Sequence, residues 1–177
     1  MTAVAGSVFT AAQYNTYVRD NLNETAVAHA ANIGGYFVTA GTNQIVERLI
    51  GQQTLNASSV TSSTSYTDLD DGIAGPTVTL STGSTALVTV GGRIGPNTVA
   101  TPSTKMSWEI SGASSITAAD DWAAGQVNSG TTTMVVYTCR TYLATGLTPG
   151  LNTFTAKYSV SSGTGTYSVR NINVLPF

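Results

Sequence analysis

Thr153-Phe154-Thr155-Ala156-Lys157-Tyr158-Ser159-Val160 places Phe154, Ala156, Tyr158 and Val160 on one side of an extended chain and Thr155, Lys157 and Ser159 on the other. Successive side chains of a strand point to opposite faces, so the stretch reads as a strand with one buried and one solvated face. Lys105 to Ile110 repeats the pattern, with Met106, Trp108 and Ile110 inward against Lys105, Ser107 and Glu109. Outward from these two, Thr77 to Leu80, Thr85 to Val90, Thr131 to Leu143 and Tyr167 to Val174 read as further strands. The turn residues 70–76 precede the first of them, and Gly91-Gly92 is expected to end the second. The glycine-rich runs 91–96 and 162–166 are read as hairpin turns. A phase change near Arg170 and Asn171 predicts a bulge. The hydroxyl-rich run Ser58 to Ser65 is an edge strand or a loop, with a strand over 61–69 as one option. Six to eight short strands over residues 54–177, separated by Gly, Pro, Asp and Ser, predict a mainly β fold, an antiparallel β-sandwich of jelly-roll type.

Composition supports this. The chain has 177 residues, with 30 Thr, 18 Ser and 18 Gly. Charged residues make up only 9%, against roughly 25% in ordinary domains. Uncharged hydroxyls therefore stand where salt-bridging side chains usually do. A net charge of -2 leaves no basic surface to neutralise phosphates, which argues against nucleic acid as a partner. The apolar runs fall far short of the ~20 residues of a membrane helix, and no basic-then-apolar leader opens the chain, so neither membrane insertion nor secretion is expected. With Cys139 alone, no intrachain disulfide forms; synthesis in a reducing cytoplasm is expected.

Residues 1–50 differ from the rest. Thr10 and Gln13 fit a capping box, Phe9 is placed to staple onto Tyr14, and Tyr14, Tyr17, Val18 and Leu22 share one face of a helix over 11–23. Thr25 to Ala31 extends it or follows it, and Gly34-Gly35 stops it. Tyr36 to Thr39 and Gln44 to Ile50 then read as a small hairpin about residues 40–43. A helix this short is marginal alone, and fifty residues of this kind carry little core. The segment is therefore read as an attachment or oligomerisation arm ahead of the sandwich domain.

Catalytic chemistry finds little support. Nucleophilic triads need a base, and the one imidazole, His29, lies in an Ala-rich stretch where a packed or surface side chain is the simpler reading. Cys139 lies within an expected strand and is read as a small buried apolar side chain. Asp70-Asp71 and Asp120-Asp121 are paired carboxylates. Asp68 to Gly72 breaks the calcium-loop pattern, because Gly72 comes one position early and the closing Glu is missing. No metal, no cofactor and no catalytic residue is assigned. Trp108 is expected in the core, while Trp122, beside Asp120-Asp121, and Tyr142 are the candidates for surface recognition.

The stretch Phe9 to Thr25, with Gly150 to Tyr158, Gly163 to Asn171, Val174 to Phe177 and Thr64 to Leu69, resembles small structural proteins of tailed bacteriophages, notably those infecting actinobacteria. These are minor tail, head-fibre and capsid decoration proteins. The resemblance implies a virion component present in many copies, with the arm holding capsid or tail proteins and the sandwich displayed outward. It transfers no catalytic residue and leaves head and tail both open. A homotrimer is expected from the helix face Phe9, Tyr14, Tyr17, Val18 and Leu22, which needs burial, and from the trimeric habit of phage fibres; a host surface glycan is the alternative partner, at a tail tip.

Overall fold

The computed structural model describes residues 8, 10–23, 30–42, 44–72, 74–97, 103–128 and 133–177. The chain divides into two compact units, Met1–Arg48 and Leu49–Phe177. In the first, Thr10 Oγ1 accepts from the Gln13 N–H at 3.2 Å and Gln13 Oε1 accepts from the Thr10 N–H at 3.0 Å, the reciprocal box expected from the sequence. The helix it starts is α1 (Ala11–Tyr14), a π-helical turn (Asn15–Arg19) and α2 (Asp20–Asn23). Strands β1 (Tyr36–Gly41) and β2 (Gln44–Arg48) form the expected hairpin, Tyr36 opposite Arg48. The Glu47 carboxylate accepts from the Ala31 and Asn32 backbone N–H groups, each at 3.0 Å, and ties the preceding loop to that hairpin. The Asn32 side-chain amide, donating at 2.9 Å, does most, and with these backbone bonds it favours the ionised form and holds the Glu47 carboxyl below its ordinary pKa. Phe9, its staple and His29 lie outside the described residues.

The second unit is an antiparallel β-sandwich. Its strands are β3 (Gly51–Leu55), β4 (Ser59–Thr61), β5 (Thr77–Thr82), β6 (Thr85–Pro96), β7 (Ser103–Gly112), β8 (Ala124–Val127), β9 (Val136–Thr145), β10 (Gly150–Val160) and β11 (Gly165–Pro176). One sheet has the order β3-β11-β6-β9, with β4 on the start of β11; the other has the order β5-β10-β7-β8. The alternation that marked β7 and β10 fills the space between the sheets: Met106, Trp108, Phe154, Ala156 and Tyr158 meet Val88, Val90, Ile94, Ile172 and Val174.

Five expectations are corrected. The described sandwich has nine strands, not six to eight, because β4 is only three residues long and β3 and β8 are short and poor in β-branched residues. The 61–69 strand does not form: β4 ends at Thr61, and a single bridge from Thr67 to Tyr158 follows. The described strand within 131–143 runs instead from Val136 to Thr145. Gly91-Gly92 does not end β6, which continues through it to Pro96. A Cβ on Gly91 would lie 2.7 Å from the Cys139 Cβ, and one on Gly92 would lie 3.2 Å from the Arg170 Cα, so the glycines admit neighbouring strands rather than make a turn. Cys139 is exposed, since β9 is the last strand of its sheet and Cys139 faces outward opposite Gly91.

The bulge expected near Arg170 is present. Pairing of β11 with β6 jumps from Ser168–Arg93 to Asn171–Gly91, and Val169 between them has φ +48°. The extra residue turns Arg170 into the interior, where it is fully buried. Its guanidinium lies 5.6 Å from the centre of the Tyr158 ring, and Nη2 donates to the Ala57 carbonyl at 3.3 Å.

Candidate functional site

The outer face of the four-stranded sheet carries Lys105, Glu109 and Lys157, which meet Asp68 and Asp120 of neighbouring loops. On neighbouring strands β7 and β10, Lys105, Glu109 and Lys157 project to the same side, and Lys157 and Glu109 are diagonal neighbours in register. Lys157 Nζ lies 2.9 Å from Asp68 and 3.2 Å from Glu109. Partial burial pulls the Lys157 ammonium down, but the two carboxylates outweigh it and leave its pKa raised. Lys105 Nζ lies 2.6 Å from Asp120, whose other oxygen accepts from the Tyr66 hydroxyl at 2.7 Å. The Lys105 bond first, then that of Tyr66, lowers the Asp120 pKa. Burial chiefly, helped by Asp120, raises that of Tyr66 well above the ordinary tyrosine range.

Asp120–Trp122 forms a single 3-10 turn that sets this cluster beside an aromatic one. Trp122 stacks on Trp108 with ring centres 5.1 Å apart, and Tyr142 of β9 tilts against Trp122 at 5.5 Å. The two residues singled out for surface recognition are thus brought together. Trp122 is half-buried, and Tyr142 remains 36% exposed. Next to the turn, Ser103, Lys105, Asp120, Gly125, Gln126 and Val127 line an open cleft of about 260 Å³.

Chemically the cluster is a set of charges already paired with one another. Asp120 is committed to Lys105 and Tyr66, and its lowered pKa keeps it ionised, unsuited to general-acid work near neutrality. Asp70 and Asp71 are exposed at the turn before β5. Among the described residues no group of three or more His, Cys, Asp or Glu side chains is placed to hold a metal ion. In the N-terminal unit, Tyr14, Tyr17 and Leu22 are 52%, 48% and 59% exposed, with Val18 half-buried. No helix among the described residues is long and apolar enough to cross a membrane.

Sequence reasoning missed Lys105, Lys157, Glu109, Asp68 and Tyr66 as a network. The outward positions on β7 and β10 were legible, but their partners come from loops whose course the alternation does not encode. Arg170 was read only as the site of a phase change.

No protein-family model matches the chain, and no curated protein matches it in sequence. Among solved structures, the chain is similar to the Eiger TNF of S. frugiperda, with a TM-score of 0.48 and 8% identity over 73% of this chain and 92% of that one. It is also similar to the structure of infectious bursal disease virus, Gt strain, with a TM-score of 0.38 and 13% identity over 82% of this chain and 38% of that one.

Proposed function

We propose that the protein is a non-enzymatic structural component of a bacteriophage particle, displayed on the exterior as a capsid decoration, head-fibre or minor tail protein. The observation that carries this reading is the helix over residues 11–23. It begins at a complete capping box, and it exposes Tyr14, Tyr17 and Leu22 along the segment that resembles phage structural proteins. Each such side chain contributes roughly 1.5–3 kcal/mol when fully buried, so the helix face is suited to lie against sister copies or a particle surface. A homotrimer buries three such faces about one axis. Contacts repeated over several copies then hold through avidity. Immunogold labelling of phage particles tests the reading: label over heads or tails supports it, and particles free of label would refute it. Replacing Tyr14, Tyr17 and Leu22 together with Ser is expected to abolish incorporation.

A second reading, a receptor- or glycan-binding module at a tail tip, draws on the Trp122–Tyr142 pair beside the Lys105–Asp120 cleft. Apolar ring surface next to fixed polar groups is the common make-up of small-ligand sites. Glycan-array binding that is lost in Tyr142→Ala would favour it, and silence of the intact protein on such arrays would remove it.

A further inference from the structure

The outer face of the five-stranded sheet is interrupted by a dent of about 240 Å³, floored by Gly92 and walled by Tyr137, Thr138, Cys139, Val169 and Asn171. Two local features make it. Gly91 and Gly92 withhold side chains in mid-strand, and the β11 bulge holds a β-branched residue, Val169, at φ +48°. A side chain in the left-handed region costs roughly 1–2 kcal/mol, and such strain clusters at binding sites and clamps.

The surroundings of the dent are lightly guarded. β9 is an edge strand of ten residues without Pro and with Arg140 as its one charged side chain, few of the devices that usually protect an edge. Tyr137 is 73% exposed, and the Cys139 thiol is exposed beside it. Arg93, opposite Tyr137 in register, makes no ion pair among the described residues. The strands of this sheet contain Arg93, Arg140 and Arg170 and no carboxylate, whereas the acidic residues of the sandwich lie on β7, in the β7–β8 connection and in the loop from β4 to β5. One corner of that other sheet has complementary character. Val127, ending β8, is 75% exposed, and the cleft it helps to line includes Asp120. Asp121, the next residue, is exposed and makes no ion pair among the described residues.

We propose that the dent is a socket for the Val127 corner of a second copy of this chain, with Asp121 of that copy meeting Arg93. Among the described residues, a cation without an ion pair stands on the strand beside an apolar hole, and a carboxylate without an ion pair directly follows Asp120, which lines one cleft with the apolar Val127. Socket and knob are different patches of one chain, so the contact is head-to-tail and closes into a ring where the rotation allows. A ring of three deepens the trimer proposed above and rests on that reading; the pairwise contact itself does not.

Cys139, the only cysteine, stands in the socket wall and reports its occupancy. The test uses the full chain, followed by sedimentation and by the rate at which Cys139 reacts with a maleimide. The expected result is association at micromolar concentration, with Cys139 at least about tenfold slower to react than after dilution to monomer. Arg93→Glu and Asp121→Arg are each expected to weaken association about tenfold or more, and the double variant to restore it. Both residues are exposed, so circular dichroism should show the fold unchanged. A monomer throughout, a thiol equally reactive in both states, or a double variant no better than the singles overturns the proposal. Particles that lack the chain would overturn the virion reading and leave this association standing.

Discussion

Trp122 donates its indole N–H to the Trp108 carbonyl at 3.0 Å while the two rings stack 5.1 Å apart. The bond closes a specific gap. Strand β8 pairs with β7 only from Ser103 to Met106, and the Ile110–Ile116 bridge covers β7 further along. The Trp108 carbonyl falls between them, and Trp122 supplies its donor.

Trp122→Phe is therefore expected to keep most of the ring contact yet lower stability by about 1–3 kcal/mol, because a buried carbonyl loses its donor. Trp122→Ala loses the stack as well and is expected to cost about 3 kcal/mol or more. Denaturant midpoints of the two variants check this; a phenylalanine variant as stable as the parent would show that the hydrogen bond contributes nothing.

Val169 gives an inverted expectation. Replacing a strand valine by glycine ordinarily destabilises, but here the backbone sits at φ +48°, where glycine carries no Cβ penalty. Val169→Gly is expected to be neutral or to stabilise by up to about 1 kcal/mol. Gly91→Ala, whose Cβ would stand 2.7 Å from both the Cys139 Cβ and the Thr138 carbonyl oxygen, is expected to cost about 2 kcal/mol or more. Thermal melts of both variants decide the matter, and a destabilised Val169→Gly would remove the strain argument.

The contrast between these two sites shows what the sequence made legible. The inward half of the period-two pattern of β7 and β10 survives because each strand lays one face on the core, and that specifies a sandwich. On the other face Ser107 and Ser159, read as solvated, are buried, Ser107 donating its hydroxyl to the Ala119 carbonyl of the covering loop. The phase change at Arg170 was visible because a bulge breaks the same period. Gly91-Gly92 misled because a glycine pair is common in turns, and only the strands lying against it reveal that its role is close approach. β3 and β4 carried too few apolar residues to show a period. The Lys105–Asp120–Tyr66 cluster depends on loop courses, and loops follow no such repeat.

Asn152 holds a buried junction that no pattern announced. Its Oδ1 accepts from the Ser114 N–H at 2.7 Å, and its Nδ2 donates to Thr82 Oγ1 at 2.8 Å and to the Thr148 carbonyl at 3.1 Å. The amide thus joins β10 to β5 and to the loops on either side. Asn152→Leu leaves these groups buried without partners and is expected to cost at least about 3 kcal/mol. Asn152→Asp keeps the acceptor but sets a carboxylate against the Thr148 carbonyl, so comparable loss is expected. Urea unfolding of either variant with a loss under about 1 kcal/mol would mean that water replaces the network.

Alkaline behaviour follows from the interior tyrosines. Burial raises the pKa values of Tyr158 and Tyr167 well above the ordinary 10.0, although the Arg170 guanidinium works in the opposite direction at Tyr158. Their folded-state values exceed the unfolded ones, so the folded chain keeps these protons longer. The stability they contribute is fully present below pH 10 and is lost as pH rises above it. Tyrosinate absorbance followed beside far-ultraviolet circular dichroism should show these two phenols ionising only as the sandwich unfolds. Tyr158→Phe removes one of the linked protons, so its stability should fall less steeply with pH above that point. An alkaline transition of unchanged steepness in Tyr158→Phe would mean that Tyr158 is open to solvent in the folded chain, against its place beneath Arg170.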